Sequence, residues 1–296
     1  MTTLEKAPRT RVRSGSATTG AFTRIIAVAN QKGGVGKTDL TVNLSCQLAS
    51  AGRKVLLIDM DPQANATDYL VGPDTPIEKT TADLLLEDDV SLSDVLIRNC
   101  RENLDVAPAS GDLSACQIRL ANDINMQFKL KKKLKELKGD MGYDYVVIDT
   151  PPSLGILTVN SLTAANQVLI PVQTQYFAME GVVQLLETVR KVKEDINPGL
   201  EVLGAVLTLY DRRTLLSREV EAKVRNGFTD GTVFATVIPM NVRCRTEGLG
   251  YVRCRTEGLG YVRCRTEGLG YVRFMDHMSI WYGSECLGHV RCGSDD

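Results

Sequence analysis

A glycine-rich segment that ends in a lysine carries the strongest chemical signal in the sequence. The run KGGVGKT (residues 32–38) follows the apolar run IIAVAN and precedes an amphipathic stretch that begins near Leu40. Glycines let successive backbone N–H groups curl around phosphate oxygens, and the N-terminus of the following helix adds a favourable dipole. In this interpretation Lys37 reaches the β- and γ-phosphates of a nucleotide, and the Thr38 hydroxyl binds Mg²⁺. The predicted phosphate-binding residues are Gly33, Gly34, Val35, Gly36, Lys37, Thr38 and Asp39.

Carboxylates at the ends of two other apolar runs support this prediction. Asp149 ends the run YDYVVID, where a carboxylate can hold Mg²⁺ through its waters. Asp59 and Asp61 end the run KVLLID and follow it, at the sheet edge where α/β proteins bind ligands. One of these two carboxylates is a candidate for orienting the water that attacks the γ-phosphate, and Asp59 is a further, weaker candidate for the metal.

The elements that must position these residues follow a regular alternation. Short apolar, β-branched runs alternate with amphipathic helical segments from residue 25 to residue 241. Fully apolar strands separated by helices are typical of a parallel sheet covered on both faces. Right-handed crossovers then predict a doubly wound, mainly parallel α/β domain over residues 25–241.

The two ends of the chain break this order. Residues 1–24 are polar, lack periodicity and are expected to be a disordered basic tail. The decapeptide VRCRTEGLGY occurs three times in identical tandem copies at 242–251, 252–261 and 262–271. Its Gly-Leu-Gly opposes a helix, and a period of ten matches no solenoid repeat, so residues 242–296 are expected to be poorly ordered.

Composition excludes several classes of protein. The chain has 296 residues with 35 Lys+Arg against 36 Asp+Glu, a net charge of −1, so any nucleic-acid binding must come from a local patch. Its 8 cysteines include no CxxC pair, which disfavours a metal or iron–sulfur site. The uncharged stretch 150–179 is broken by prolines and polar residues, and the N-terminus lacks a signal-peptide core. A cytoplasmic protein without stable membrane association is expected.

Four motifs in order resemble a known family. KGGVGKT, DMDPQANAT, VVIDTPPSLG and TVIPMNVR are similar to the ParA/Soj partitioning ATPases, which carry a deviant Walker A motif; the resemblance covers about residues 24–243. It implies a P-loop NTPase fold, ATP and Mg²⁺ as cofactors, and an ATP-dependent homodimer. It further implies that Lys32 reaches the partner's nucleotide across the dimer, that Asp61 positions the attacking water, and that Asp149 is the Walker B carboxylate.

The same resemblance implies partners. Arg213 and Arg243 match positions that contact DNA phosphates in Soj-like members, and Arg212 is a weaker candidate. Such contacts are independent of DNA sequence, which implies a nucleoid-associated protein. A ParB/Spo0J-like partner would stimulate hydrolysis. A separate lysine-rich stretch, residues 129–138, has apolar residues at helical spacing and is interpreted as a solvated helix face rather than a second DNA site.

Three departures from the family keep alternatives open. Asp39 stands where the family usually has a second Thr beside the α-phosphate, Met240 stands where Arg is common, and the repeats replace the family's terminal helices. A carboxylate beside a phosphate repels it. One alternative is therefore a nucleotide-binding protein with impaired hydrolysis. The other is a MinD-like positioning ATPase, although the Gly-rich repeats supply no amphipathic membrane helix.

Overall fold

An eight-stranded sheet, parallel except for one edge strand, forms the centre of the fold. The computed structural model describes residues 23–240 except 73–74, 139–141, 176–177 and 229–230, and four short strands nearer the C-terminus. The strands of the main sheet are β1 (Arg24–Val28), β2 (Val55–Asp59), β3 (Ile97–Arg101), β4 (Leu104–Ala107), β5 (Tyr145–Asp149), β6 (Gln167–Gln173), β7 (Glu201–Tyr210) and β8 (Thr232–Pro239). Their order is β3-β4-β2-β5-β1-β6-β7-β8, and β3 pairs antiparallel with β4.

Helices connect the parallel strands. Within the described residues they are α1 (Lys37–Ser50), α2 (Asn65–Val71), α3 (Thr81–Leu86), α4 (Leu92–Val95), α5 (Leu113–Leu120), α6 (Lys129–Leu134), α7 (Ile156–Ala164), α8 (Ala178–Asp195) and α9 (Leu215–Gly227). Short 3-10 turns at Met126–Phe128 and Lys135–Lys138 flank α6. None of the helices in the described ranges combines the length and the apolar character needed to span a bilayer.

The central strand β1 shows why both faces of the sheet are covered. Its side chains alternate, so Ile26 and Val28 join a core cluster that contains Leu40 of α1. Ala27 belongs to a different cluster, which contains Val182 of α8. All three of these β1 residues are fully buried. A strand that is buried on both faces has a continuous apolar run in its sequence. This run is the pattern from which β1 was predicted.

The predicted fold class, a doubly wound and mainly parallel α/β sheet with helices on both faces, is confirmed. The differences are local. Strand β1 begins at Arg24, which the sequence analysis placed in the basic tail. The antiparallel strand β3 was not predicted, because its sequence IRNCR is short and polar.

The lysine-rich segment 129–138 is only partly the solvated face that was predicted. Its leucines are buried, as helical spacing requires. Lys133, however, is 4% exposed, and its Nζ donates to the backbone carbonyls of Glu87 at 2.8 Å, Asp88 at 3.2 Å and Val90. Lys133 therefore ties the segment between α3 and α4 to α6, because three carbonyls accept its three ammonium protons.

The four C-terminal strands form a second, antiparallel sheet. They are β9 (Cys254–Thr256), β10 (Val262–Cys264), β11 (Tyr271–Met275) and β12 (Ser279–Gly283), in the order β12-β11-β10-β9. Residues 1–22, and the parts of 242–296 outside these strands, lie outside the described residues. The predicted division of the chain into a tail, a domain and a repeat region stays a prediction.

Candidate functional site

The glycine-rich loop between β1 and α1 has a backbone shape that only glycine adopts easily. Gly34 has a φ of 68° and Gly36, which caps the N-terminus of α1, has a φ of 82°. Both values lie in the left-handed region, where a Cβ causes strain. The loop thus returns the chain sharply from the end of β1 into the first turn of α1, at the carboxyl edge of the sheet where ligands bind.

Residues from three other elements hold this loop in place. The buried Asn30 side chain donates to the Pro171 carbonyl of β6 at 2.7 Å and accepts the Lys32 N–H at 3.0 Å. Thr208 of β7 donates its hydroxyl to the Val35 carbonyl at 2.8 Å. On the α8 side, a Cβ on Gly181 would lie 3.1 Å from Asn30 Oδ1, so this helix approaches the loop closely. The loop is fixed by the strands beside it as well as by its own sequence.

The side chain of Lys37 is buried, and its ammonium group contacts the loop. Its side chain is 6% exposed, and Nζ donates to the Lys32 carbonyl at 3.2 Å. Burial lowers the pKa of Lys37, and the nearby carboxylates of Asp149 and Asp61 counteract part of that shift. The cation and two carboxylates predicted from separate motifs therefore come together at one site.

The strand register brings Asp59 and Asp149 side by side. They are paired residues on the adjacent strands β2 and β5, and both are fully buried. Burial raises the pKa of Asp149 to about 8, with the Asp59 charge adding to the effect, while hydrogen bonding from Thr38 and Thr41 opposes it. Asp149 Oδ1 accepts the Thr41 hydroxyl at 3.0 Å. Its Oδ2 is buried without a hydrogen-bond partner among the described atoms.

Asp59 organises the segment that follows β2. Its Oδ1 accepts the N–H of Asp61 at 3.0 Å, and its Oδ2 accepts the N–H and the hydroxyl of Thr67 at 2.9 and 2.7 Å. Burial raises the pKa of Asp59 to about 6. Both Asp59 oxygens accept protein donors, so Asp59 helps to shape the loop. The weaker metal role predicted for it stays a prediction.

Asp61 lies in the same loop, one turn before α2. It is 5% exposed, and its Oδ1 accepts the N–H of Gln63 at 3.0 Å. Its charge opposes part of the burial-driven fall in the pKa of Lys37, so the two charges act on each other. The water-positioning role predicted for it stays a prediction.

Lys32 begins the loop, and Asp39 follows it in the first turn of α1. Lys32 is half-buried, and Asp39 is exposed on the first turn of α1. The Asp39 carboxylate oxygen Oδ2 would lie 3.9 Å from a Cβ on Gly36, which puts a negative charge beside the loop. Desolvation by the surrounding protein raises the pKa of this carboxyl, although part of the residue is open to solvent. Asp39, which stands where a second Thr was expected, therefore lies directly beside the candidate site.

The predicted DNA residues follow β7. Arg212 and Arg213 are exposed on the turn between β7 and α9. The N–H of Met240 donates to the Tyr210 carbonyl at 2.9 Å, so the end of β8 lies beside this turn. Arg243 lies outside the described residues.

Several residues that build the site were not identified from the sequence. They come from different elements, and each looks like an ordinary polar or small residue in its local context: Asn30, Thr41, Thr67, Gly181 and Thr208. Only Asn30 could have been identified from the sequence, because it directly follows an apolar strand. The other four become visible once the strands are assembled.

Comparison with known proteins agrees with this geometry. A family model described as an AAA domain matches residues 23–202. The sporulation initiation inhibitor protein Soj of Bacillus subtilis is 47% identical over 220 residues, which cover 74% of this chain and 85% of the relative. The chromosome partitioning protein ParA of Caulobacter vibrioides is 44% identical over 220 residues, covering 74% and 82%. A crystal structure of cobyrinic acid a,c-diamide synthase from Mycobacterium smegmatis, with an ATP analogue and magnesium, matches with a TM-score of 0.69 and 40% identity over 77% of this chain and 90% of that one.

The strand, glycine-rich loop and helix define a P-loop nucleoside triphosphatase, with a buried lysine near the carboxylates of Asp149, at the end of β5, and Asp61, just after β2. The resemblance predicted from the four motifs is confirmed by the identities over most of the chain. The chain belongs to the ParA/Soj family of partitioning ATPases.

Proposed function

We propose that this protein is a partitioning ATPase that hydrolyses ATP with Mg²⁺. The observation that carries the proposal is the Asp149 carboxylate, whose buried Oδ2 lacks a partner in the described part of the chain and lies at the edge that holds Lys37. Buried polar atoms are normally paired, and an orphaned one at a ligand edge indicates a missing partner. Structures of similar proteins with an ATP analogue and magnesium support the same conclusion.

The available donors fit magnesium. A carboxylate and a hydroxyl supply the hard oxygen atoms that Mg²⁺ prefers, with water completing its shell. Thr38 would hold the ion directly, and Asp149 would hold it through water. When bound, Mg²⁺ neutralises charge on the β- and γ-phosphates.

The loop residues would bind and polarise the phosphates. Backbone N–H groups of residues 33–38 would surround the phosphate oxygens, assisted by the N-terminus of α1. In this structure the Lys37 ammonium donates a hydrogen bond to the Lys32 carbonyl. With nucleotide bound, it would move to the β- and γ-phosphates. Asp61 would orient the water for in-line attack, while Lys32 would reach the partner's phosphate across a homodimer and stabilise its developing charge.

Hydrolysis would control binding to DNA. The ATP-bound dimer would hold the DNA backbone without sequence preference through Arg213, Arg243 and, more weakly, Arg212. A ParB-like protein would stimulate hydrolysis and release the dimer. The protein would thus be cytoplasmic and nucleoid-associated, without stable membrane association. The names of two relatives, the chromosome partitioning protein ParA of Caulobacter vibrioides and the chromosome-partitioning ATPase Soj of Thermus thermophilus, support a partitioning role for such a cycle.

Asp39 supports a second candidate, a nucleotide-binding protein with impaired hydrolysis. Asp39 lies on the first turn of α1, with its carboxylate beside the loop where the phosphates would lie. Two like charges about 4 Å apart repel by about 1 kcal/mol in water and by more near a protein surface. Asp39→Thr would remove this repulsion.

Light scattering on a size-exclusion column tests the proposal with the Asp61→Ala variant. With Mg-ATP, the variant is expected to be a stable dimer, because it binds ATP without hydrolysing it. Without nucleotide it is expected to be a monomer. If Asp61→Ala hydrolyses ATP as fast as the wild type, the role of Asp61 is wrong. If Mg-ATP leaves it monomeric but Asp39→Thr restores dimerisation, the second candidate is supported.

A further inference from the structure

The arginine predicted to contact DNA is already engaged by a carboxylate. Arg213 Nε donates to Asp211 Oδ1 at 3.0 Å, and Nη2 donates to Asp211 Oδ2 at 3.0 Å. The Arg213 backbone N–H also donates to Oδ1, at 3.0 Å. The arginine side chain is 85% exposed and the aspartate side chain 22%. Two residues apart on one turn, they form a bidentate ion pair at the protein surface.

The carboxylate occupies only one edge of the guanidinium. An arginine carries five N–H donors, and Asp211 accepts from two, on the Nε–Nη2 edge. The Nη1–Nη2 edge stays available to solvent or to a phosphate. A DNA phosphate on that edge would share the cation with the Asp211 carboxylate, and the two anions would repel each other across it.

The rest of the turn strengthens its attraction for anions. Arg218, in the first turn of α9, donates Nε and Nη2 to the Arg212 carbonyl at 3.2 and 2.9 Å, which keeps a second guanidinium beside the turn. The Thr214 side chain caps α9 by accepting the Ser217 N–H. Asp211 is thus an acidic side chain set among arginines at the helix start.

We infer that Asp211 acts as an internal competitor for the phosphate ligand of Arg213. The inference rests on the DNA-binding role proposed above and adds its regulation: the turn binds the DNA backbone more weakly than its arginines alone would. Lower affinity favours release of DNA, and it makes binding more sensitive to a second contact, such as the same turn on a partner copy.

The expected effect is modest and measurable. Exposed ion pairs are weak, so removing the Asp211 charge should tighten DNA binding about two- to fivefold at low salt. Without the Asp211 charge, Arg213 can neutralise one more DNA phosphate. The slope of the logarithm of the DNA association constant against the logarithm of the salt concentration should then become steeper, by up to about 0.9 for each turn.

The test measures fluorescence anisotropy of a short labelled duplex of mixed sequence. The full chain is used with Mg²⁺ and a non-hydrolysable ATP analogue, from about 50 mM salt upward. The variants are Asp211→Asn, Arg213→Gln and the double variant. Asp195→Asn is the matched control, because it removes the same charge at the exposed C-terminal end of α8. This end of the helix lies at the amino ends of the parallel strands, away from the turn after β7.

Competition predicts that Asp211→Asn binds DNA more tightly than both the wild type and Asp195→Asn. It also predicts that this gain disappears in the Arg213→Gln background, as a double-mutant cycle would reveal. An unchanged or weaker affinity for Asp211→Asn overturns the inference, as does an equal gain without Arg213. If Arg213→Gln alone binds DNA as well as the wild type does, the DNA-binding role proposed for Arg213 is wrong, and this result is distinct from a failure of the competition.

Discussion

Replacing the Asp149 carboxyl tests the electrostatics of the site without any ligand. The pKa of Asp149 is raised to about 8, mainly by burial, whereas an unfolded chain has the ordinary value of 3.8. Between these two values the folded protein holds a proton that the unfolded chain has released. Because the folded state binds more protons, the free energy of unfolding must fall as the pH rises through this window. Below pH 4 both states are protonated and the effect is constant.

The magnitude follows from the same shift. One proton held only by the folded state changes the free energy of unfolding by 1.36 kcal/mol per pH unit. From pH 6 to pH 8, the pH at which Asp149 becomes half ionised, its contribution to the free energy of unfolding should fall by about 2 kcal/mol. For a domain of this size that loss lowers Tm by roughly 4–8 °C.

The assay is denaturant unfolding of the nucleotide-free protein at a series of pH values. Asp149→Asn cannot ionise, so its free energy of unfolding should change about 2 kcal/mol less between pH 6 and pH 8 than that of the wild type. Asp195→Asn, at an exposed position, should keep the wild-type dependence. If Asp149→Asn retains the full wild-type slope, the raised pKa does not reside at Asp149, and the argument from its burial is wrong.

Two further substitutions test contacts that fix the fold and the loop. Lys133→Met keeps the buried stem but leaves the backbone carbonyls between α3 and α4 without their donor, so it should cost about 3 kcal/mol in denaturant unfolding. The exposed neighbour Lys132→Met should cost less than about 0.5 kcal/mol, and equal losses would contradict the assigned role of Lys133. Thr208→Val removes the 2.8 Å hydrogen bond to the Val35 carbonyl and should weaken ATP binding about fivefold by calorimetry. Thr188→Val, whose hydroxyl is on an exposed helix face, is its control, and unchanged affinity in Thr208→Val would show that the loop does not need this tie.

The phosphate-binding loop could be predicted because its requirements are local. The left-handed φ of Gly36 and the placement of Lys37 at the start of α1 depend on a strand, a turn and a helix that are consecutive in sequence. Asp149 was predictable for a similar reason, since it ends a buried strand and parallel strands share a carboxyl edge.

The remaining parts of the site depend on contacts between distant segments. Thr208 reaches the loop from 173 residues away, and nothing in its local sequence distinguishes it from other strand threonines. Lys133 stands in a run of lysines, and only the approach of the α3–α4 segment shows that its charge is buried. Asp211 precedes two arginines, yet its ion pair with Arg213 depends on the geometry of the turn. Local pattern therefore predicted the chemistry, and tertiary structure determined which polar residues support it.

Strand β3 bears on how the folded protein avoids self-association. An outer strand with free N–H and C=O groups can template the addition of another chain, and this is a route to aggregation. In β3 the Asn99 N–H donates to the Asp105 side chain at 2.7 Å, and its φ of 51° interrupts the regular pairing between Ile97 and Arg101. The exposed side chain of Arg98 adds charge to the same edge. This bent and charged strand gives an incoming chain no straight ladder to extend, so the edge of a strongly apolar sheet is protected where it meets solvent.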